Sequence, residues 1–129
     1  IIFDLDGTLL DTIETIAFYG NRALEKFGFK AINTDEYKFF AGDGAAQLIQ
    51  RMLAFHGSHD EATFEKVFRE YNALYNRDTF YKTSVFDGIN YLLKSAKNKG
   101  IKLAVLSNKP HEATVDVIRR FFGNNIFRY

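Results

Sequence analysis

Two short apolar runs, each ending in polar residues, flank a long middle segment with helical periodicity. The first run, 1–3, leads into Asp4 and Asp6. The second run, 101–106, leads into Ser107. An apolar run that ends in polar residues is typical of a buried parallel strand, and open α/β sheets bind ligands beyond the carboxyl ends of such strands. The pattern therefore predicts an α/β fold with a functional site at one edge of its sheet.

The middle segment predicts helices only. A first helix stops at Gly28, a second segment covers 34–40, a third helix runs to Gly57, and Asp60 opens the longest helix. The apolar stripes are Ile13, Ile16, Ala17, Leu24 and Phe27 in the first helix, Leu48, Met52 and Phe55 in the third, and Phe64, Val67, Phe68, Tyr71 and Tyr75 in the last. Apolar and aromatic stripes at helical spacing usually form a core, so we expect an all-helical domain.

Asp4 and Asp6 stand two positions apart at the end of the first run. In strand geometry such residues point to the same face, so their carboxylates crowd together and need a cation or a proton between them. The alternative is a strand-end aspartate that caps the next helix. The spacing favours a site that binds a metal ion or transfers protons.

The string Asp4-Leu5-Asp6-Gly7-Thr8-Leu9 resembles the first motif of the haloacid dehalogenase superfamily, most of whose members are phosphatases that work through an aspartyl-phosphate. The resemblance implies a Rossmann-like parallel-sheet core with an inserted, mobile, all-helical cap. It divides the chain into a core, 1–13 and 84–129, and a cap, 14–83.

By the same resemblance, Asp4 is the nucleophile and binds Mg²⁺ through its other oxygen. Asp6 protonates the leaving oxygen, then activates water, and its backbone carbonyl reaches the metal. The dehalogenases of the superfamily lack an acid at this second position, so Asp6 favours phosphoryl transfer over carbon–halogen cleavage. Carboxylate nucleophiles and Mg²⁺ held by one or two carboxylates suit that chemistry. Gly7 permits a sharp turn whose amides approach the phosphate, and Thr8 is a further substrate-binding residue.

The second motif is Ser107-Asn108-Lys109-Pro110. In the superfamily a Ser or Thr at this strand end hydrogen-bonds the phosphate, which implies that role for Ser107, with Asn108 assisting. Pro110 suits the first turn of the following helix. Taken alone, Ser107 and Asn108 could equally be ordinary helix caps. Lys109 is not expected to be the lysine that these enzymes use to hold phosphate and nucleophile together, because in the family that lysine comes later in the chain.

The turn Gly42-Asp43-Gly44 opens a helix of the middle segment and presents backbone amides at its start. It resembles a cap turn of phosphoglycolate phosphatases that lies close to the active site, which implies that Gly42, Asp43 and Gly44 face the substrate. Asp43 as a simple N-cap is an equal alternative. Arg51 and Lys38 are either anion contacts or solvated charges.

The remaining polar positions indicate structure more than chemistry. Asp87 is expected to cap a helix that ends at Gly100, with four inward-facing residues, Ile89, Leu92, Leu93 and Ala96. The histidines, His56, His59 and His111, lack metal-ligand spacing and are interpreted as surface residues. The run 126–129 predicts the start of a third strand.

Composition narrows the function classes only slightly. A net charge of +1 with 26% charged residues indicates an ordinary soluble protein without a nucleic-acid-binding patch. No cysteine is present, which excludes disulfides and thiol catalysis. No apolar run reaches membrane-spanning length. We expect a cytoplasmic protein that binds neither nucleic acid nor membrane.

The later lysine and the acidic motif that complete the superfamily's magnesium site have no counterpart in this sequence. The chain also begins at Ile1 instead of Met, and only two strands are predicted before the final run. Two strands do not make a stable open sheet. We therefore interpret the sequence as a fragment, inactive by itself, of a protein whose remaining part supplies these groups.

These features together predict a Mg²⁺-dependent phosphatase that acts on a small phosphorylated metabolite, with phosphoglycolate as the favoured substrate. A pyrophosphatase or a β-phosphoglucomutase-like phosphotransferase could use the same Asp4, Asp6 and Ser107. A phosphate-binding protein without turnover is the alternative from another class. The sequence leaves the oligomeric state open.

Overall fold

The computed structural model describes residues 1–128 and contains two compact units. One, the strand unit, combines Ile1–Thr12 with the chain from Thr83 onward, and the other, the helical unit, is Ile13–Lys82. In chain order the regular elements are β1 (Ile2–Phe3), β2 (Leu10–Asp11), α1 (Ile13–Lys26), a 3-10 helix (Thr34–Glu36), α2 (Tyr37–Phe40), α3 (Ala45–Phe55), α4 (Glu61–Arg77), β3 (Ser84–Val85), α5 (Ile89–Asn98), β4 (Ala104–Val105) and α6 (His111–Phe122). Among the described residues, no helix is long and apolar enough to cross a membrane.

The strand unit contains two small sheets. β1 and β4 pair in parallel, with Ile2 opposite Ala104 and Phe3 opposite Val105. β2 and β3 pair antiparallel. The helix α5 precedes β4 and the helix α6 follows it, so strands and helices alternate in this part of the chain. The structure confirms an α/β fold with a parallel strand pair.

A leucine-rich core holds the strand unit together. Its buried residues are Leu5, Leu9, Leu10, Leu93, Ala96, Leu103, Val117, Ile118 and Phe127. The first strand itself is not buried, because Ile1 is 57% and Ile2 69% exposed. Leu106, which follows the second strand of the parallel pair, is 73% exposed. The expectation of a buried first strand is wrong, since an apolar run does not reveal whether both of its faces are covered.

The sequence did not predict the pair formed by β2 and β3. Each strand has two residues, which is too short for an alternating pattern to be recognised. The expected third strand is not formed within 126–128, although the Arg128 N–H donates to the Leu103 carbonyl at 2.9 Å, beside the second strand of the parallel pair. Position 129 lies outside the described residues.

Every regular element of residues 13–82 is helical, as expected. Helix α4 contacts both α1 and α3. The buried core of the unit consists of Ile16, Ala17, Tyr19, Ala23, Leu24, Ile32, Tyr37, Phe40, Leu48, Ile49, Met52, Leu53, Val67, Tyr71 and Tyr75. The aromatic stripe of α4 therefore belongs to the core, as its helical spacing predicts.

Of two predicted helix starts, the one at Asp60 is confirmed and the one at Asp87 is wrong. Asp60 caps α4, because its side chain accepts a hydrogen bond from the Thr63 N–H. Asp87 does not cap α5, whose N-cap is Gly88 with a φ of 82° and no capping side chain. The αL conformation of Gly88 turns the chain into the helix one residue later than predicted. In α5, Leu92 is 45% exposed and does not face inward as expected.

His56 was interpreted as a surface residue, but it is only partly exposed. Its ring lies against two phenylalanines, with ring centroids 5.4 Å from Phe29 and 5.6 Å from Phe55. Its Nε2 atom is buried and has no hydrogen-bond partner among residues 1–128. His59 and His111 are exposed, as expected.

A partly buried polar network links α1 to the start of α2 and to the chain that precedes it. The Tyr37 hydroxyl donates to Asn21 Oδ1 at 2.7 Å, and Asn21 also exchanges hydrogen bonds with the backbone of Ile32 at 2.8 and 2.9 Å. Tyr37 is fully buried, and burial raises the pKa of its hydroxyl well above the ordinary value. The ring presses on Gly20, where an added Cβ would lie 2.6 Å from the Tyr37 hydroxyl oxygen.

Replacing Gly20 with Ala is expected to destabilise the protein. Helix propensity favours Ala by about 1 kcal/mol, but overpacking against a tyrosine held by Asn21 costs about 1–3 kcal/mol. Chemical unfolding followed by circular dichroism measures the net loss, and Asn76→Ala at an exposed position of α4 is the control. An unchanged or raised stability of Gly20→Ala would show that Tyr37 moves aside freely.

The cap of α4 is expected to make stability depend on pH. The Thr63 hydroxyl and the Thr63 N–H both donate to Asp60 and lower the pKa of its carboxyl. A lowered folded-state pKa stabilises the fold above the unfolded pKa, about 3.9, and this contribution disappears as the pH falls through the folded value. Asp60→Ala should therefore lower stability at neutral pH, with a difference from wild type that shrinks below about pH 4.

Denaturant unfolding of both proteins from pH 7 down to pH 3 measures this difference. Asp60→Asn keeps an acceptor at the N-cap and is the matched control, which should retain most of the capping without the pH dependence. A loss in Asp60→Ala that stays constant over the whole range would contradict the role of the Asp60 charge.

Candidate active site

The parallel strand pair aligns the two polar motifs. Phe3 and Val105 are register partners at the ends of β1 and β4, and the Leu106 N–H donates to the Phe3 carbonyl at 2.8 Å. Asp4 follows the first strand directly, and Ser107 follows the second strand by two positions. Because the strands are parallel, both motifs leave the sheet at the same carboxyl edge, where α/β folds bind ligands.

A tight turn follows Asp4 and leaves two amides open. The Leu5 carbonyl accepts hydrogen bonds from the N–H groups of Thr8, Leu9 and Leu10 at 3.3, 3.0 and 3.0 Å. The Gly7 N–H donates to the Leu10 carbonyl at 2.8 Å, and Gly7 has a φ of 80°. The expected glycine turn is therefore present.

The open amides belong to Leu5 and Asp6, and not to Gly7 and Thr8, which were expected to approach the phosphate. Both of these N–H groups are used within the turn, whereas the N–H groups of Leu5 and Asp6 have no acceptor among residues 1–128. They come directly after Asp4 in the chain. Unpaired neighbouring amides attract an anion, so this backbone can bind phosphate oxygens beside the Asp4 carboxylate.

Asp4 and Asp6 lie beyond the end of the first strand and not within it. β1 ends at Phe3, and Leu5 between the two acids is fully buried in the core of the strand unit. Asp4 is exposed, whereas the Asp6 side chain is only 23% exposed. The two carboxylates therefore occupy different environments, one open to ligands and one enclosed by the protein.

Lys109 contacts Asp6 across the two motifs. Its Nζ lies 3.0 Å from Asp6 Oδ1, and its side chain is only 7% exposed. Sequence reasoning set Lys109 aside, because the superfamily's active-site lysine comes later in the chain. A cation four positions after the end of the second strand was the available signal, but the contact depends on the register of two strands that lie about a hundred positions apart in the chain.

Ser107 belongs to a turn and is not the cap of α6. Its hydroxyl oxygen accepts a hydrogen bond from the Lys109 N–H at 3.2 Å. The N-cap of α6 is Pro110, which has no capping side chain. Pro110 was expected in the first turn of the helix and lies one position before it. Neither Ser107 nor Asn108 therefore occupies the N-cap position of α6. The Ser107 hydroxyl proton can still be donated to a ligand.

The glycine turn of the helical unit differs from the expectation in one respect. The N-cap of α3 is Gly44, with no capping side chain, so Asp43 is not an N-cap. Asp43 Oδ2 pairs instead with Arg51 Nη2 at 2.6 Å, and Arg51 Nη1 also donates to the Phe40 carbonyl at 3.0 Å. These contacts fix the turn within its own unit, and they leave the substrate-facing role of Gly42, Asp43 and Gly44 a prediction.

The two basic residues near this turn are both paired. Arg51 is held by Asp43, and Lys38 Nζ lies 2.9 Å from Asp35 Oδ1 on an exposed surface. Each side chain therefore has a carboxylate partner within its own unit, and neither presents an isolated positive charge to a ligand. Exposed pairs of this kind contribute little to stability.

The donor set around Asp4 suits magnesium in part. Within residues 1–128, no three His, Cys, Asp or Glu side chains cluster as a metal site. Mg²⁺ does not need such a cage, because one or two carboxylates together with water and substrate phosphate oxygens can hold it. The exposed Asp4 carboxylate offers such a ligand, whereas one oxygen of Asp6 is engaged by Lys109.

The sequence is similar to curated phosphatases along nearly its whole length. The phosphoglycolate phosphatase of Cereibacter sphaeroides is 32% identical over 125 residues, which are 94% of this chain and 56% of that protein. The phosphoglycolate phosphatase of Aquifex aeolicus is 31% identical over 118 residues, which are 92% of this chain and 53% of that protein. The chain thus spans about half the length of the curated relatives it matches.

Solved structures agree with this similarity. A candidate phosphoglycolate phosphatase from Lactobacillus delbrueckii subsp. bulgaricus matches 98% of this chain and 61% of its own, with a TM-score of 0.92 and 29% identity. The sequence profile of the family described as haloacid dehalogenase-like hydrolase matches residues 1–129. The motif-based resemblance is therefore confirmed, and the chain belongs to the haloacid dehalogenase-like hydrolase family.

Proposed function

We infer that the protein containing this chain is a Mg²⁺-dependent phosphatase that hydrolyses a small phosphorylated metabolite through an aspartyl-phosphate on Asp4. The observation that carries this inference is the exposed Asp4 carboxylate at the end of β1, followed by the open amides of Leu5 and Asp6. A nucleophile beside unpaired N–H groups can attack a phosphoryl group while those groups bind its oxygens.

The first step transfers the phosphoryl group to the protein. A carboxylate oxygen of Asp4 attacks phosphorus, the ester P–O bond breaks, and the leaving oxygen takes a proton from Asp6. Phosphoryl transfer depends mainly on positioning and on stabilising charge at the phosphoryl oxygens. The amides after Asp4 and the Ser107 hydroxyl are the groups of this chain that provide both.

The second step releases phosphate. Water attacks the aspartyl-phosphate, Asp6 takes the proton of the water, and the bond between phosphorus and Asp4 breaks. Proton transfer by a positioned carboxyl contributes about 10²–10⁴-fold to such rates. One residue thus serves as acid and then as base, which requires its carboxyl to stay in place through both steps.

Magnesium would be held by the Asp4 carboxylate and the backbone carbonyl of Asp6. The ion would supply positive charge that offsets the repulsion between Asp4 and the phosphate dianion. The proposed substrate contacts of the strand unit also include the side chains of Thr8 and Asn108, whereas Gly7, whose N–H is used within the turn, is no longer among them. The turn 42–44 is proposed to select the substrate.

Phosphoglycolate is the favoured substrate because two relatives that are 31% and 32% identical are named phosphoglycolate phosphatase. Hydrolysis of phosphoglycolate, pyrophosphate and hexose phosphates by the natural protein, with Mg²⁺ and with EDTA, tests both substrate and cofactor. We expect the highest kcat/KM for phosphoglycolate and no turnover with EDTA. A preference for pyrophosphate, or phosphoryl transfer between sugar positions, would contradict the proposed substrate.

Asp4→Asn is expected to lower kcat by more than about 10³-fold, because an amide cannot form the phosphorylated intermediate. The side chain is exposed, so the melting temperature should remain that of the wild type. Asp116→Asn, at an exposed position of α6, is the matched control for loss of a carboxylate. Residual turnover close to wild type would remove Asp4 from the nucleophile role.

Ser107→Ala is expected to lower kcat/KM by roughly 10- to 150-fold, because a hydrogen bond to a charged group is worth about 1.5–3 kcal/mol. Ser107→Thr keeps the hydroxyl and should retain most of the activity. Ser95→Ala in α5 removes a hydroxyl elsewhere in the strand unit and serves as the control. Wild-type kinetics of the alanine variant would limit Ser107 to the turn that it forms with Lys109.

A further inference from the structure

Lys109 is an enclosed cation that the proposed steps do not use. Among the described residues, three other lysines form ion pairs, and their side chains are 52–61% exposed: Lys26, Lys38 and Lys82. The side chain of Lys109 is only 7% exposed. Withdrawing an ammonium group from water is costly unless a partner compensates it. Its ion-pair partner among the described residues is Asp6, 3.0 Å away and 103 positions earlier in the chain.

The backbone around Lys109 is also fixed. Its N–H donates to Ser107 Oγ at 3.2 Å, and its carbonyl accepts a hydrogen bond from the Thr114 hydroxyl at 3.3 Å in the first turn of α6. A lysine side chain normally loses considerable rotamer entropy when it is held in one place. A backbone anchored on both sides reduces the freedom that remains to be lost, and it aims Nζ at Asp6 from a defined point.

The pair leaves half of the Asp6 carboxyl open. Oδ1 bonds Lys109, and Oδ2 has no hydrogen-bond partner among residues 1–128. A carboxyl group held at one oxygen cannot rotate freely about its terminal bond. The other oxygen, Oδ2, therefore keeps a defined direction. A general acid and base needs such a fixed direction, because it must give a proton to the leaving oxygen of the substrate and later take one from water.

We propose that Lys109 is a positioning residue for Asp6, which it holds through Oδ1 while Oδ2 exchanges the proton in both steps. The inference rests on the proposed function of Asp6 as general acid and base. It differs from a phosphate-binding role, in which Lys109 would act on the substrate independently of Asp6. A double-mutant cycle separates the two roles, because a residue that acts only through Asp6 has little effect once Asp6 is disabled.

The cycle uses the natural protein with Asp6→Asn, Lys109→Met and both together. We expect Lys109→Met alone to lower kcat by about 10-fold or more with KM within about twofold, and to lower it by less than about twofold when Asp6→Asn is already present. Lys109→Arg can keep the ion pair and should restore most of kcat. Lys94→Met, at an exposed position of α5, is the matched control.

Other outcomes overturn the inference in distinct ways. Equal losses from Lys109→Met with and without Asp6, or a raised KM at unchanged kcat, would make Lys109 an independent phosphate contact. Wild-type kcat in Lys109→Met would leave the pair purely structural. A wild-type protein without turnover on any phosphate ester would instead refute the proposed function, and the positioning role with it.

Melting temperatures of the same four proteins control for folding. If Lys109→Met does not fold, Lys109→Gln keeps a hydrogen-bond donor and replaces it in the cycle. Coupling between the two positions in thermal stability measures the ion pair without any assay of activity. Independent effects on stability would contradict the contact itself.

Discussion

The pairing of two short parallel strands determines where the groups of the proposed site in the strand unit lie. β1 and β4 contribute two residues each, yet their register sets Asp4 and Ser107 beyond neighbouring strand ends. A shift of one residue would displace one motif by about 3.3 Å and turn its side chains to the opposite face. The core formed by Leu5, Leu93 and Leu103 opposes such a shift, because each of these side chains is at most 2% exposed.

The same register allows the second motif to complete the first. Lys109 reaches Asp6 only because the chain leaves both strands at one edge and then turns back through Ser107. The result is a difference in environment between two aspartates of one motif. Asp4 is exposed, while the Asp6 side chain is largely enclosed and held by Lys109, and the different roles proposed for them follow from these environments.

Local features of this fold could be predicted from sequence. Helical periodicity predicted the helices of the 13–82 segment, and Asp60 was predicted to open the longest of them, where its side chain accepts a hydrogen bond from the Thr63 N–H. The aspartate motif identified the family because its residues are consecutive. Each of these signals lies within a few positions of chain, where backbone geometry limits the alternatives.

Features that depend on tertiary structure could not be predicted in the same way. The Lys109–Asp6 contact joins positions 103 apart, and Asp43 pairs with Arg51 instead of acting as the N-cap that the sequence offered as one of two alternatives. The open amides after Asp4 emerge only when the hydrogen bonds of the turn are known. A sequence pattern names candidate groups, but it does not show which of their donors and acceptors the fold has already used.

The central claim is that Asp4 carries the phosphoryl group during turnover. The most direct measurement is to quench the natural protein during hydrolysis of phosphoglycolate, reduce the acyl phosphate with borohydride and map the modified residue by peptide mass spectrometry. An aspartyl-phosphate on Asp4 would be reduced to homoserine at that position alone, and this is the predicted result. Homoserine at Asp6 or at another carboxyl, or turnover without any trapped acyl phosphate, would contradict the account.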